Sequence, residues 1–121
     1  MGAIKKVEDL RVWHKAVDLT AQVYALSRRL PSSEQYNLTS QMQRAAVSIC
    51  GSISEGFIRA GEKEKARFYN IARASAEELR GYLVLLPRIG YEPAPASLMN
   101  LLDAVCAMLH GLWETILRET R

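Results

Sequence analysis

Aromatic side chains are scarce in this chain of 121 residues, at 7%. The alternation of Val, Ile and Thr that half-buried strands require is almost absent. A sandwich or barrel of short strands is thereby disfavoured, and the periodicity is helical nearly throughout. Cysteine is limited to Cys50 and Cys106, each inside an apolar helical stretch, where a free thiol behaves as a small buried hydrophobe. That placement argues against a disulfide framework and an oxidising compartment. No uninterrupted run of about 18 apolar residues is present to span a bilayer. The N-terminal Met1-Gly2-Ala3-Ile4-Lys5-Lys6 lacks the apolar segment and cleavage site of a secretory signal. The expectation is a cytosolic, cytoplasmic protein with no membrane partner.

Chemistry-bearing groups are equally few. A catalytic nucleophile needs a base within hydrogen-bond reach, and the only histidines, His14 and His110, fall in different helices. His14 follows Trp13 and reads as a surface or packing residue. Neither histidine follows a glutamate at the Glu-x-x-His spacing of bundle metal sites. Gly51, Gly56 and Gly61 recur at five-residue intervals with no Lys-Ser or Lys-Thr beside them, which is not a phosphate loop. The sequence points away from an enzyme, a cofactor and a metal.

What is present is apolar surface, 49% of residues, enough for the single core of one domain over 1–121. Four helices are expected, at about 7–30, 33–58, 62–86 and 96–118. The first presents Val12, Ala16, Leu19, Val23 and Leu26, with Leu10, Trp13, Val17 and Tyr24 widening the face, and Pro31 ends it. Ser32 and Ser33 read as N-caps of the second, with Glu34 in its first turn. That helix buries Leu38, Met42, Ala45, Ile49 and Ile53, and Gly61 offers a stop. The third presents Phe68, Ala72, Leu79, Leu83 and Leu86 and is closed by Pro87 and Gly90. The fourth, after Pro93 and Pro95, carries Leu98, Leu101, Leu102, Val105, Met108, Leu109, Leu112, Trp113 and Ile116. That face is wider than two packing neighbours need, and a subunit interface could use the surplus. Short connections favour antiparallel neighbours, so the fold class expected is all-α, an up-down-up-down antiparallel four-helix bundle.

Net charge is +3, and its distribution is uneven: residues 1–30 contribute +3, residues 59–80 contribute +2, and the rest −2. Candidate nucleic-acid contacts are Arg11 and Lys15 on the first helix, with Lys5 and Lys6 before them, Arg44 on the second, and Arg59, Lys63, Arg67, Arg73 and Arg80 around the third. A solvated mixed face is the competing reading. From Arg44 to Gly56 small residues replace bulky ones, so that a neighbouring helix can approach closely. Arg44, Ser48 and Glu55 fall along one helical face as a polar line. Either Arg44 and Glu55 make structural salt bridges to neighbouring helices or subunits, or Arg44 faces a groove and contacts phosphate.

Several strings occur in order: Leu10-x-Val12-Trp13-x-x-Ala16, Leu30-Pro31-x-x-Glu34-x-Tyr36-x-Leu38, Gln41-x-x-Arg44-Ala45-Ala46-x-Ser48-Ile49 and Ile53-x-Glu55-Gly56. They continue as Phe68-Tyr69-x-Ile71-Ala72-x-Ala74-Ser75-x-Glu77-Glu78-Leu79 and Gly90-Tyr91. This series resembles the four-helix proteins encoded within 23S ribosomal RNA intervening sequences, over roughly residues 8–92. The resemblance implies a bundle that assembles as a ring-like homopentamer. It also implies a relation to the accessory proteins of diversity-generating retroelements, which bind nucleic acid and a reverse transcriptase. Two functions remain open: a non-enzymatic homo-oligomer binding RNA or DNA through basic faces, or an oligomeric scaffold for a protein partner. In a ring of five, +3 would sum to about +15 and strengthen steering of a polyanion.

Overall fold

The computed structural model describes residues 3–119, and four long helices account for most of them: α1 Arg11–Ser27, α2 Leu38–Ile58, α3 Glu62–Arg88 and α4 Ala96–Glu119. Each helix packs on its two neighbours around the bundle: α1 touches α2 and α4, and α3 touches α2 and α4. Residues that meet across α2 and α3 run in opposite directions, Gln41 with Tyr82, Ser48 with Ser75, and Phe57 with Lys65. The fold is an up-down-up-down antiparallel four-helix bundle.

The core is made by the expected apolar stripes. Val12, Ala16, Leu19, Val23 and Leu26 of α1 are buried, as are Leu38, Met42, Ala45, Ile49 and Ile53 of α2. α3 contributes Ala72, Ala76, Leu79, Leu83 and Leu86, and α4 contributes Leu98, Leu102, Val105, Leu109 and Ile116. Spacings of three and four residues put each set on one face, and each large aliphatic side chain so buried stabilises the fold by about 1.5–3 kcal/mol over leaving it in water. Phe68, Trp13, Leu101, Met108, Leu112 and Trp113 are only half-buried, and Val17 is exposed.

Helix ends differ from the sequence expectation in three of the four helices. The first helix begins at Arg11, not Val7. The Asp9 carboxylate accepts the Lys5 and Lys6 N–H groups at 2.9 and 3.0 Å, which holds Val7–Asp9 in a 3-10 turn with Leu10 extended after it. Those bonds also hold the Asp9 carboxyl below its ordinary range. The same helix stops at Ser27, four residues before Pro31, because Arg28–Leu30 turn tightly and Leu30 precedes a proline.

Secondly, Ser32 and Ser33 do not cap α2. They belong to a second 3-10 turn, Ser32–Glu34, and the helix starts at Leu38. Glu34 governs that start from outside the helix, accepting the Leu38 N–H at 3.4 Å, the Asn37 amide at 3.3 Å and the Tyr91 hydroxyl at 2.7 Å. Thirdly, Pro87 lies within the last turn of α3 and does not close it. Gly90, at φ 99, makes the stop: the Tyr91 N–H returns to the Leu86 carbonyl at 2.9 Å and the Gly90 N–H to that of Pro87 at 3.4 Å. A side chain would strain that left-handed turn.

Tyr91 thus ties the α3–α4 connection to the start of α2. The hydroxyl's bond holds the Glu34 carboxyl below its ordinary range and raises the Tyr91 phenol above its own. A carboxyl lowered in the folded state adds stability that is full above the ordinary glutamate range and is lost as pH falls through the folded-state value. Tyr91→Phe is therefore expected to lower the neutral plateau of the melting-temperature profile while leaving its acid end little changed, so that the acid limb flattens. A profile superimposable on the parent's across the acid limb would show that the bond contributes nothing.

At the other end, α2 stops against Lys65, whose ammonium donates to the Gly56 and Phe57 carbonyls at 3.1 and 2.7 Å and lies 5.8 Å from the Phe57 ring centre. A cation there satisfies carbonyls that the helix leaves without partners. Lys65→Met keeps the aliphatic stem and removes the donor, with an expected loss of roughly 1–2 kcal/mol in denaturant unfolding.

α4 has an 18-residue window of mean hydropathy 1.3, of which 22% is buried. Among the described residues it alone is long and apolar enough to cross a membrane by length and composition. The expectation that no segment would be long and apolar enough to span does not hold on this average. The property follows from a bundle helix whose core stripe is flanked by the half-buried Leu101, Met108, Leu112 and Trp113, which pack against the same core.

Candidate functional site

On α3, Lys63, Arg67, Asn70, Arg73, Glu77 and Arg80 recur every three or four residues and form one stripe. The antiparallel neighbour brings His110 and Trp113 of α4 against Arg73, and Asp103 and Cys106 against Arg80. The groove between these helices holds two adjoining hollows that share Asn70. One, of about 460 Å³, lies between Arg73, Glu77, Cys106 and His110. The other, of about 660 Å³, lies between Lys63, Arg67, Trp113 and Leu117.

Arg73 organises the middle of the groove. Its guanidinium donates to the Asn70 side-chain oxygen at 2.9 Å and to His110 Nδ1 at 3.1 Å, and its carbon lies 4.1 Å from the centre of the Trp113 ring. Arginine can only donate, so His110 Nδ1 accepts; neutral His110 then carries its proton on Nε2, which faces the Glu114 carboxylate at 3.2 Å. Further along, Arg80 pairs with Asp103 and reaches Glu77 at 3.7 Å, and the Asp103 bond raises its basicity. Burial pushes both the Cys106 and the Cys50 thiols up, Cys50 beside the Thr20 hydroxyl at 3.4 Å. A thiol held in that state is a packing group rather than a nucleophile. Among the described residues no group of three His, Cys, Asp or Glu could hold a metal ion.

The remaining candidates are dispersed. Arg59 and Arg67 approach the Phe68 ring at 4.8 and 4.5 Å, and each is paired with a neighbouring acid, Glu55 at 2.7 Å and Glu64 at 3.1 Å. Arg11 and Lys15 lie on α1, which makes no contact with α3, so the basic residues of the two helices belong to separate faces and not to one surface. Among the described residues, neither Arg44 nor Glu55 bridges to another helix. Glu55 pairs one turn along with Arg59, and Ser48 makes the interhelical bond of the polar line, to the Ser75 hydroxyl at 2.8 Å. Arg44 is exposed at a shallow groove with Tyr24, Gln43 and Val47, and has no ion pair among the described residues. His14 is exposed, edge-on to Trp13.

Sequence reasoning found the α3 stripe and missed its partners Asn70, His110 and Trp113. A signal was available: positions 103, 106, 110, 113 and 117 form a matching stripe on α4, visible only once the two helices are set antiparallel.

No curated protein matches the chain. A family model described as 23S rRNA-intervening sequence protein matches residues 8–111, which carries the likeness beyond Tyr91 and through most of α4. The chain therefore belongs to the 23S rRNA-intervening sequence protein family.

Proposed function

We propose that the protein is a non-enzymatic module of the cytoplasm that assembles with copies of itself and binds RNA or DNA through its basic faces. The observation that carries the binding is the α3–α4 groove, where Lys63, Arg67 and Arg73 line solvent-filled hollows beside an indole. Cations with an aromatic among them are the chemistry that tracks a phosphate backbone. Self-association is supported by the strip flanking the core stripe of α4, where Leu101, Met108 and Leu112 pack against the core yet stay only half-buried. A second copy covering that strip would remove it from water, and a ring of five is the arrangement that the family resemblance implies.

The test is RNA and DNA binding across a salt series, with solution mass measured on the same sample. An oligomer whose affinity falls by at least about a hundredfold between 50 and 200 mM salt fits the reading; an oligomer that ignores both polymers overturns it. A second reading, a scaffold for a protein such as a reverse transcriptase, is favoured by the in-chain pairing of Arg59, Arg67 and Arg80, which leaves those cations partly neutralised. Salt-insensitive binding to protein alone would be its mark.

Arg44 separates assembly from anion binding. Because its guanidinium has no ion pair among the described residues, Arg44→Ala is expected to leave helical content and melting unchanged while lowering either the solution mass or the affinity for polyanion by about tenfold. Unchanged mass together with unchanged affinity would remove Arg44 from both roles.

A further inference from the structure

The larger of the two hollows in the α3–α4 groove has more specific chemistry than a solvated basic face needs. Trp113 and Leu117 wall it from α4, and Lys63, Arg67 and Asn70 line its α3 side, around about 660 Å³. That volume lies in the range of small-ligand sites. Lys63 has no ion pair among the described residues, and the Arg67–Glu64 bond is a one-turn surface pair with both groups about half exposed, which exchanges partners at little cost. Trp113 is fixed in place by Arg73, 4.1 Å from its ring, and Arg73 is itself held by Asn70 and His110. An indole braced by a stacked guanidinium, an amide whose NH2 group is not the one Arg73 uses, and two cations close by are what an aromatic base with an attached phosphate requires.

We infer that this hollow binds a nucleotide, its base stacked against Trp113 and read by Asn70, with its phosphate on Lys63 and Arg67. Bases inside a duplex have no free face, so the nucleotide comes from a single strand or is free in solution. The inference rests on the nucleic-acid reading above and sharpens it to unpaired nucleotides. Arg73 acts as a positioning residue that sets the indole.

The experiment uses the full chain with Trp13→Phe, which leaves Trp113 as its one remaining tryptophan of two. Emission from Trp113 is followed while a single-stranded oligonucleotide, the same sequence as a duplex, or a mononucleotide is added, with binding measured in parallel by anisotropy of labelled strands. The single strand is expected to quench Trp113 and the duplex not to. Quenching by the mononucleotide at similar concentration identifies the free source, and quenching by the strand alone identifies the polymer. Trp113→Leu, which keeps every charge, is expected to weaken single-strand binding by about tenfold at an unchanged salt slope. Lys63→Glu should weaken it further and lower the slope. Should the strand bind with no change in Trp113 emission, or should Trp113→Leu bind as tightly as the parent, the inference falls while the basic-face reading stands. Absence of binding to any polymer or nucleotide overturns both.

Discussion

Gly56→Val is expected to lower the unfolding free energy by about 3 kcal/mol, read as a shift of the denaturant midpoint at constant slope. A Cβ at Gly56 would stand 2.8 Å from Cε1, 3.0 Å from Cδ1 and 3.2 Å from Cζ of the Tyr69 ring. Tyr69 is 3% exposed in the seam between α2 and α3, so the ring has no open direction in which to withdraw. Alanine at the same position gains up to about 1 kcal/mol of helix propensity, which offsets part of its smaller clash. Valine adds two methyl groups to the same contact and gains less propensity, so overpacking wins. Adding Tyr69→Leu should recover much of the loss, giving a coupling between the two sites that distant positions lack. An unshifted midpoint in Gly56→Val would mean that the helices separate there without cost.

Leu102→Ala should cost about as much for the opposite reason. Leu102 is fully enclosed at 0% exposure, and truncation leaves a cavity that the surrounding helices fill only in part; such changes cost roughly 2–5 kcal/mol. Leu112, ten residues on but on the strip flanking the core stripe of the same helix, is half-buried. Leu112→Ala is expected to cost under about 1 kcal/mol in dilute protein, and more as concentration rises if a second copy covers the strip. Equal losses from the two variants at every concentration would show that the flanking strip has no partner.

The core was legible because one kind of information, apolar spacing of three and four, determines it. Met42, Ile49, Leu79 and Leu109 are all where that spacing places them, each at 0% exposure. The helix ends were less legible, because local preference competes there with tertiary partners. Ser32 and Ser33 are good caps in isolation, yet Glu34 is claimed by Tyr91, more than fifty residues away, and that bond moves the start of α2 to Leu38. Lys65 shows the same limit: in the run Glu62-Lys63-Glu64-Lys65 nothing marks one lysine as the group that closes the preceding helix.

The candidate site divided in the same way. Residues sharing one helix, from Lys63 to Arg80, were found as a stripe, because i,i+3 and i,i+4 geometry is local. Their counterparts His110 and Trp113 lie roughly forty residues further along, and only the antiparallel register brings them opposite Arg73. That the basic residues of α1 and α3 stand apart within one chain follows from a fact that no local pattern contains, the diagonal placement of those helices. Two strings that carry the family likeness, Glu34 and Gly90-Tyr91, turn out to meet in one hydrogen bond, and a third, Glu55-Gly56, lets the Tyr69 ring of α3 pack directly on the α2 backbone.

Only Arg59, Ala60 and Gly61 separate α2 from α3, whereas α1 must cross ten residues to reach α2. Closing a link of three residues removes little chain entropy, and the Lys65 bonds reward closure at its first turn. The central pair should therefore zip from this end before the outer helices dock, with Gly56 and Tyr69 meeting within the first two turns. A chain that folds in this order meets its tightest steric requirement at the start, so a side chain too large at Gly56 would slow folding itself rather than hasten unfolding.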